Sequence, residues 1–199
     1  LLTEDYYVVN KLVKGYLGTA NIDTNSRLCM SSAVAAHKRA FGEDIVSARY
    51  ADFEQTEMVV LVGSNTAWCH PMLSQRNKQA KAQRDIFVVV VDPRFTSSCE
   101  AADLHLPILP GQDVALFNGL LQYLSQHGHA DLEFIQQHTQ DLAQALASSQ
   151  TEACIMDVVQ RTGISLEKLQ QFYQRFAETG KVMTLFSMGV NQSSQGVNK

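Results

Sequence analysis

Three features of this 199-residue chain predict an α/β fold: a Rossmann-like parallel sheet covered by helices in three layers. Two near-continuous apolar runs, MVVLVG and IFVVVVDP, have the length and composition of strands buried on both faces. A polar stretch with helical character, LSQRNKQAKAQR, joins them, as a parallel pair requires of its crossover. A further apolar run, KVMTLFSMG, returns to strand near the far end.

The remaining elements follow in order. TEDYYVVNKLVKGYLG carries Tyr6, Val9, Leu12, Val13 and Tyr16 at helical spacing, with Gly15 and Gly18 marking its end. A second helix is expected from about Met30 to Ala40, closed by Gly42. Asp52 to Glu57 is polar and reads as a short helix before the first strand. LHLPI reads as a short third strand, PGQD as a turn, and ALFNGLLQYLSQHG as a helix. Residues 130–178 read as polar helices, DLEFIQQHTQ, DLAQALASSQ and ISLEKLQQFYQRFAETG, and are expected to be a helical insertion within one domain spanning 1–199. The chain shows no internal repeat and no low-complexity segment.

Bulk properties narrow the function. With 45% hydrophobic and 18% charged residues, the chain can build a real core. A net charge of −4 with no Lys/Arg cluster argues against nucleic acid as a partner. No apolar run approaches the ~20 residues that span a bilayer, so no membrane partner is expected. Four cysteines, at 29, 69, 99 and 154, form no C-x-x-C pair and no disulfide framework, which fits a reducing cytoplasm. The opening LLTEDYYVVN lacks the pattern of a signal peptide and reads as the interior of a longer protein.

In open α/β sheets, ligands bind outside the carboxyl ends of the strands. There MVVLV is followed by Gly63, Ser64 and Asn65, a turn that lets backbone and small polar groups approach a phosphate. IFVVVV is followed by Asp92, Pro93 and Arg94, where an acidic group would grip a ribose and an arginine would face a phosphate or a base. KVMTLF is followed by Ser187-Met188-Gly189 and Val190-Asn191-Gln192. Asp113, after Gly111 and Gln112, reads either as a helix N-cap or as an acceptor for a purine edge. Trp68 either stacks on a base or fills the core. Cys69 and His70 lie close enough to the glycine turn to touch a ligand, whereas Cys99 and Cys154 read as structural. His105, inside an apolar strand, reads as a satisfied core histidine, and His127 and His129 as solvated. Without a G-x-G-x-x-G pattern ordinary NAD binding is unsupported, and the strand ends together indicate a nucleotide-like cofactor. Cys29 stands where a polar run, NIDTNSRL, becomes helix. Free N–H groups there favour a thiolate, and the competing reading is a small packed hydrophobe.

The runs NIDTNSRLCMSSAV, VLVGSNTAWCHP, VVDPRFTSSCEAADLHLPILPGQDVALFNGLL and MTLFSMGVNQSSQG, in that order, resemble the molybdopterin oxidoreductase (dimethyl sulfoxide reductase) family. The assimilatory, cytoplasmic nitrate reductase branch is most similar, through RLCMSSAV and AWCHP. The resemblance implies molybdenum held by bis-molybdopterin guanine dinucleotide, with a [4Fe-4S] cluster nearby, nitrate as substrate and an electron-donor protein or domain. It implies that Cys29 ligates the metal, a soft thiolate suited to a metal that changes oxidation state. Asn25 matches an asparagine that touches the pterin. Val62, Gly63, Ser64, Asn65, Thr66, Ala67, Trp68, Cys69 and His70 match a segment around the dinucleotide's phosphates. Asp92, Pro93, Arg94, Phe95 and Thr96 match its ribose-binding segment, Gly111, Gln112 and Asp113 the one near the guanine, and Met188 and Gln192 two further cofactor contacts.

Formate dehydrogenases, which share the fold, usually carry histidine after the ligating residue, and Met30 weighs for nitrate. The family's cysteine motif for the iron–sulfur cluster does not occur in these residues. The chain is therefore expected to be a piece of a larger subunit with little or no activity alone. A different class remains open: a non-catalytic nucleotide-binding α/β module in which Cys29 only packs.

Overall fold

A computed structural model describes residues 2–24, 26–194 and 196–198. Among them α1 (Thr3–Asn10) runs into a wider π-helical turn at Lys11–Tyr16, and α2 (Ser26–Cys29) and α3 (Ser31–Phe41) follow. β1 (Met58–Val62) leads to α4 (Thr66–Cys69) and α5 (Pro71–Gln83), and then β2 (Phe87–Val91) and β3 (Leu104–Leu106) precede α6 (Asp113–Gln126). α7 (Leu132–His138), α8 (Leu142–Ser148), α9 (Ile155–Thr162) and α10 (Leu166–Glu178) lead to β4 (Val182–Phe186) and a one-turn α11 (Met188–Asn191).

The four strands form one sheet in the order β3-β2-β1-β4, and every pairing is parallel. The expected architecture is therefore present. All five residues of β1 are buried, which explains its unbroken apolar run: as an inner strand it has no solvent face. Met58, Val60, Val62, Val89, Val91 and Leu106 point to one side, where Leu116 and Leu120 of α6, Val158 of α9, and Leu169, Phe172 and Tyr173 of α10 close the core. Val59, Leu61, Val88, Val90 and Met183 point to the other, against Phe53, Ala80 of α5 and Cys99. Helices α9 and α10 are polar in overall composition yet bury a narrow stripe of large side chains, so this stretch covers one face of the sheet.

Local signals set the ends. Gly42 adopts a left-handed conformation and its N–H closes onto the Lys38 carbonyl, stopping α3 where expected. Pro71 opens α5, whose first N–H would be unpaired anyway. The short helix expected before β1 is present as a 3-10 helix at Tyr50–Glu54, starting two residues earlier than expected, and it buries Phe53. The first helix has the predicted spacing, but no residue of Thr3–Asn10 is buried, and Tyr7, Val8, Leu12, Tyr16 and Leu17 are exposed.

The tightest backbone approach joins the ends of β1 and β4. A Cβ on Gly189 would stand 2.7 Å from the Gly63 Cα and 2.8 Å from its carbonyl oxygen. The Gly189 N–H donates to that same carbonyl at 3.1 Å, and Gly63 has φ +54°. No side chain can move aside there. Gly189→Ala is expected to destabilise the protein by about 1–3 kcal/mol, the usual penalty for overpacking, read as a lower urea midpoint. An unchanged midpoint would show that the two turns have room between them.

Tyr173 donates its hydroxyl to the Leu116 carbonyl at 2.7 Å inside the core, and burial pushes its pKa well above the ordinary tyrosine value. The unfolded chain ionises this phenol near pH 10 while the folded one keeps its proton, so stability falls as pH rises above about 10. Tyr173→Phe is expected to flatten that alkaline decline while costing about 1 kcal/mol at neutral pH for the lost hydrogen bond. Urea titrations at pH 7 to 11 check both; equal alkaline slopes in the two proteins would contradict the assignment.

Candidate functional site

Because all four strands are parallel, the segments after them share one edge. The order reverses beside β1, whose neighbours are β2 and β4, and that is the position where open α/β sheets place ligands. Along the edge the segments run: Ser187–Gln192 after β4, Val62–His70 after β1, Asp92–Thr96 after β2, and Gly111–Asp113 beyond β3. Three strand spacings separate the outer two, about 14 Å at 4.8 Å per step.

The loops after β1 and β2 are bound mainly through buried Ser98. Ser98 Oγ donates to Asn65 Oδ1 at 2.9 Å and accepts from the Ala67 N–H at 3.0 Å, with Thr66 Oγ1 at 3.4 Å. Ser98 and Thr66 are both buried, so the shape of 62–70 is fixed from beneath. Trp68 is 76% exposed, which removes the core-filling reading, and its indole N–H donates to Ser97 Oγ at 3.2 Å. Cys69 and His70 are exposed beside it.

After β2, one carboxylate oxygen of buried Asp92 accepts the Arg94 N–H at 2.9 Å, closing a tight turn. The Asp92 carbonyl meets His105 Nε2 at 2.9 Å, and the exposed Phe95 ring stands edge-on to that imidazole. His105 is thus satisfied, as expected. Pro93 and Arg94 are exposed, and Thr96 is buried over Cys99. Cys154 is exposed at the start of α9 rather than packed. Beyond β3, Gly111 takes φ +86° with open space around it. Gln112 occupies the N-cap of α6, so Asp113, buried as the first residue of that helix, is not its cap.

Cys29 ends α2 two residues before α3 and is half-buried. The turn after β4 meets it: Gln192 Nε2 donates to the Cys29 sulfur at 2.9 Å, and Asn191 Nδ2 reaches the Cys29 carbonyl at 3.4 Å and the Met30 sulfur at 3.2 Å. The sulfur is therefore held by a polar contact as well as by packing. Met188 opens α11 and is exposed. Asn25 lies outside the described residues.

Two groups that matter here were given no role from sequence: Ser98, and Asn191, which was named only as part of the run after KVMTLF. Both stand inside quoted runs.

Among the described residues no three His, Cys, Asp or Glu side chains converge as a metal cage. One soft sulfur with an amide beside it fits a metal that arrives with most of its ligands supplied by an organic cofactor. Open space over Gly111 and the exposed rings of Trp68 and Phe95 suit an extended ligand lying along the edge.

The molybdopterin oxidoreductase family model matches residues 1–199. A nitrate reductase of Shewanella frigidimarina is 50% identical over the whole chain, which spans 21% of that protein. One of Klebsiella oxytoca is 48% identical, again over the whole chain, which spans 22% of it. A periplasmic nitrate reductase of Desulfovibrio desulfuricans is 33% identical over 98% of the chain, which spans 27% of that protein. The chain thus spans about a fifth to a quarter of these relatives. Among solved structures, the acetylene hydratase of Pelobacter acetylenicus superposes on 97% of the chain with a TM-score of 0.76 at 22% identity, the chain spanning 26% of it, and shares the fold. Whole-length agreement with the family model and half-identical relatives lead to one conclusion: the chain belongs to the molybdopterin oxidoreductase family.

Proposed function

We propose that this chain is the part of a molybdenum-dependent nitrate reductase that presents the metal-ligating cysteine and grips one edge of the cofactor. One observation carries the reading furthest. The strand order β4-β1-β2-β3 along the carboxyl edge lines up Cys29 with Met188 and Gln192, then 62–70, then 92–96, then 111–113. That is the chemical order of a molybdenum pterin guanine dinucleotide from metal to phosphates to ribose to guanine. Half-identity to nitrate reductases supports nitrate over formate as the substrate, as does Met30 after the cysteine.

In this reading Cys29 donates its thiolate to molybdenum, and the Gln192 amide steadies the sulfur. Asn25 touches the pterin. Val62 to His70 wrap the phosphates with backbone N–H groups and small polar side chains, and Ser98 holds that wrap in shape from below. Asp92 to Thr96 hold the ribose, and Gly111 to Asp113 the guanine. Residues 1–199 act as one domain, with 130–178 as a helical elaboration that closes one face. Bound, the cofactor supplies the two-electron chemistry that takes an oxygen atom from nitrate and leaves nitrite. A [4Fe-4S] cluster and an electron-donor protein or domain would supply the electrons in the full-length enzyme. A cytoplasmic, assimilatory role belongs to the same proposal. Among the described residues no helix is long and apolar enough to cross a membrane.

Nitrate-dependent oxidation of reduced viologen by the full-length protein tests the assignment. Cys29→Ser is expected to lower turnover by about 100-fold or more, since losing a ligand at the reacting metal removes several kcal/mol of transition-state stabilisation. Equal rates in both proteins would remove Cys29 from the site, and a molybdenum-loaded wild type that ignores nitrate would move the reading to formate or another oxyanion.

A further inference from the structure

Asn191 is a polar group without an evident role in cofactor binding. It is 3% exposed, and its Oδ1 has no hydrogen-bond partner among the described residues. Burying an amide in this way is costly unless its other half does something that an apolar side chain cannot. Its Nδ2 bridges the Cys29 carbonyl and the Met30 sulfur, across 162 residues of chain. Its own carbonyl accepts from the Ser32 hydroxyl at the start of α3. Both halves of the residue therefore clasp the segment carrying Cys29, one on each side of Met30. On the other side, α11 is fixed to the sheet: the Asn191 N–H bonds to the Ser187 carbonyl, Ser187 N–H to Val62, and Gly189 N–H to Gly63. Gly196 closes over this clasp, since a Cβ there would meet the Asn191 carbonyl at 2.5 Å.

We infer that Asn191 is a positioning residue for the metal ligand. It ties the backbone of Cys29 to the end of β4, so that the thiol is presented at a fixed place on the sheet edge. α2 is a single turn without a sheet partner of its own and cannot hold a side chain to ångström precision unaided. The inference rests on Cys29 being the ligand, but its test does not.

The full-length protein isolated without cofactor is treated with iodoacetamide, and the cysteines are followed separately by mass spectrometry. Asn191→Leu keeps the shape of the side chain and removes the amide. Cys29 is expected to be alkylated about fivefold faster in this variant, the factor that one net hydrogen bond makes in a local opening equilibrium. Buried Cys99 should stay protected, and exposed Cys69 should react as in wild type. An unchanged Cys29 rate overturns the clasp, whatever Cys29→Ser does to turnover. If Cys99 also becomes reactive, the fold has loosened, and Asn191→Ser, too short to bridge the gap, is judged by the same two rates. In the cofactor-loaded protein, the Mo(V) electron paramagnetic resonance signal should shift in Asn191→Leu. A signal identical to wild type would overturn the step from thiol to metal geometry.

Discussion

The contact between Gly63 and Gly189 is the constraint on which the rest of the edge depends. Two neighbouring parallel strands end in turns whose backbones touch, with a hydrogen bond between them and no space for a methyl group on either. The approach sets where the chain leaves β1 toward the exposed loop at 62–70, and where it leaves β4 toward α11. Through Asn191 and Gln192, α11 in turn sets where Cys29 stands. A short helix is thus registered to the most buried strand of the molecule, by backbone contacts from β1 to α11 and by side-chain amides from there to Cys29.

Much of this was legible in the sequence where burial is two-sided. β1 and β2 announced themselves because an inner parallel strand excludes polar residues from both faces. The glycine after β1 and the S-M-G after β4 marked the right turns, though nothing in a linear sequence says that two glycines 126 positions apart touch. The stripe of α10 was obscured for the opposite reason: only Leu169, Phe172 and Tyr173 need be apolar for one face to seal the core, so the helix reads as polar. Asn191 was named at the end of the last strand, but N-Q-S-S has the composition of a solvated turn, and nothing in it shows an amide buried against the Cys29 backbone. Trp68 could not be placed because a tryptophan gives the same signal in a core as on a ligand-facing rim.

The apolar face of the first helix shows the same limit from another side. Its spacing predicts a helix, and a helix forms, but none of Thr3–Asn10 is buried. Periodicity identifies a face to be buried without naming what buries it. Exposed Trp68, Phe95 and Met188 along the sheet edge are a second apolar rim of this kind.

The central claim is that the Cys29 sulfur is bonded to molybdenum. X-ray absorption at the molybdenum edge, on the full-length cofactor-loaded protein beside Cys29→Ser, reads this bond directly. Loss of one sulfur neighbour in the variant, with an oxygen neighbour in its place, is the expected result. An identical sulfur shell in the two proteins would contradict the claim and leave Cys29 as a residue that the β4 turn holds for another purpose.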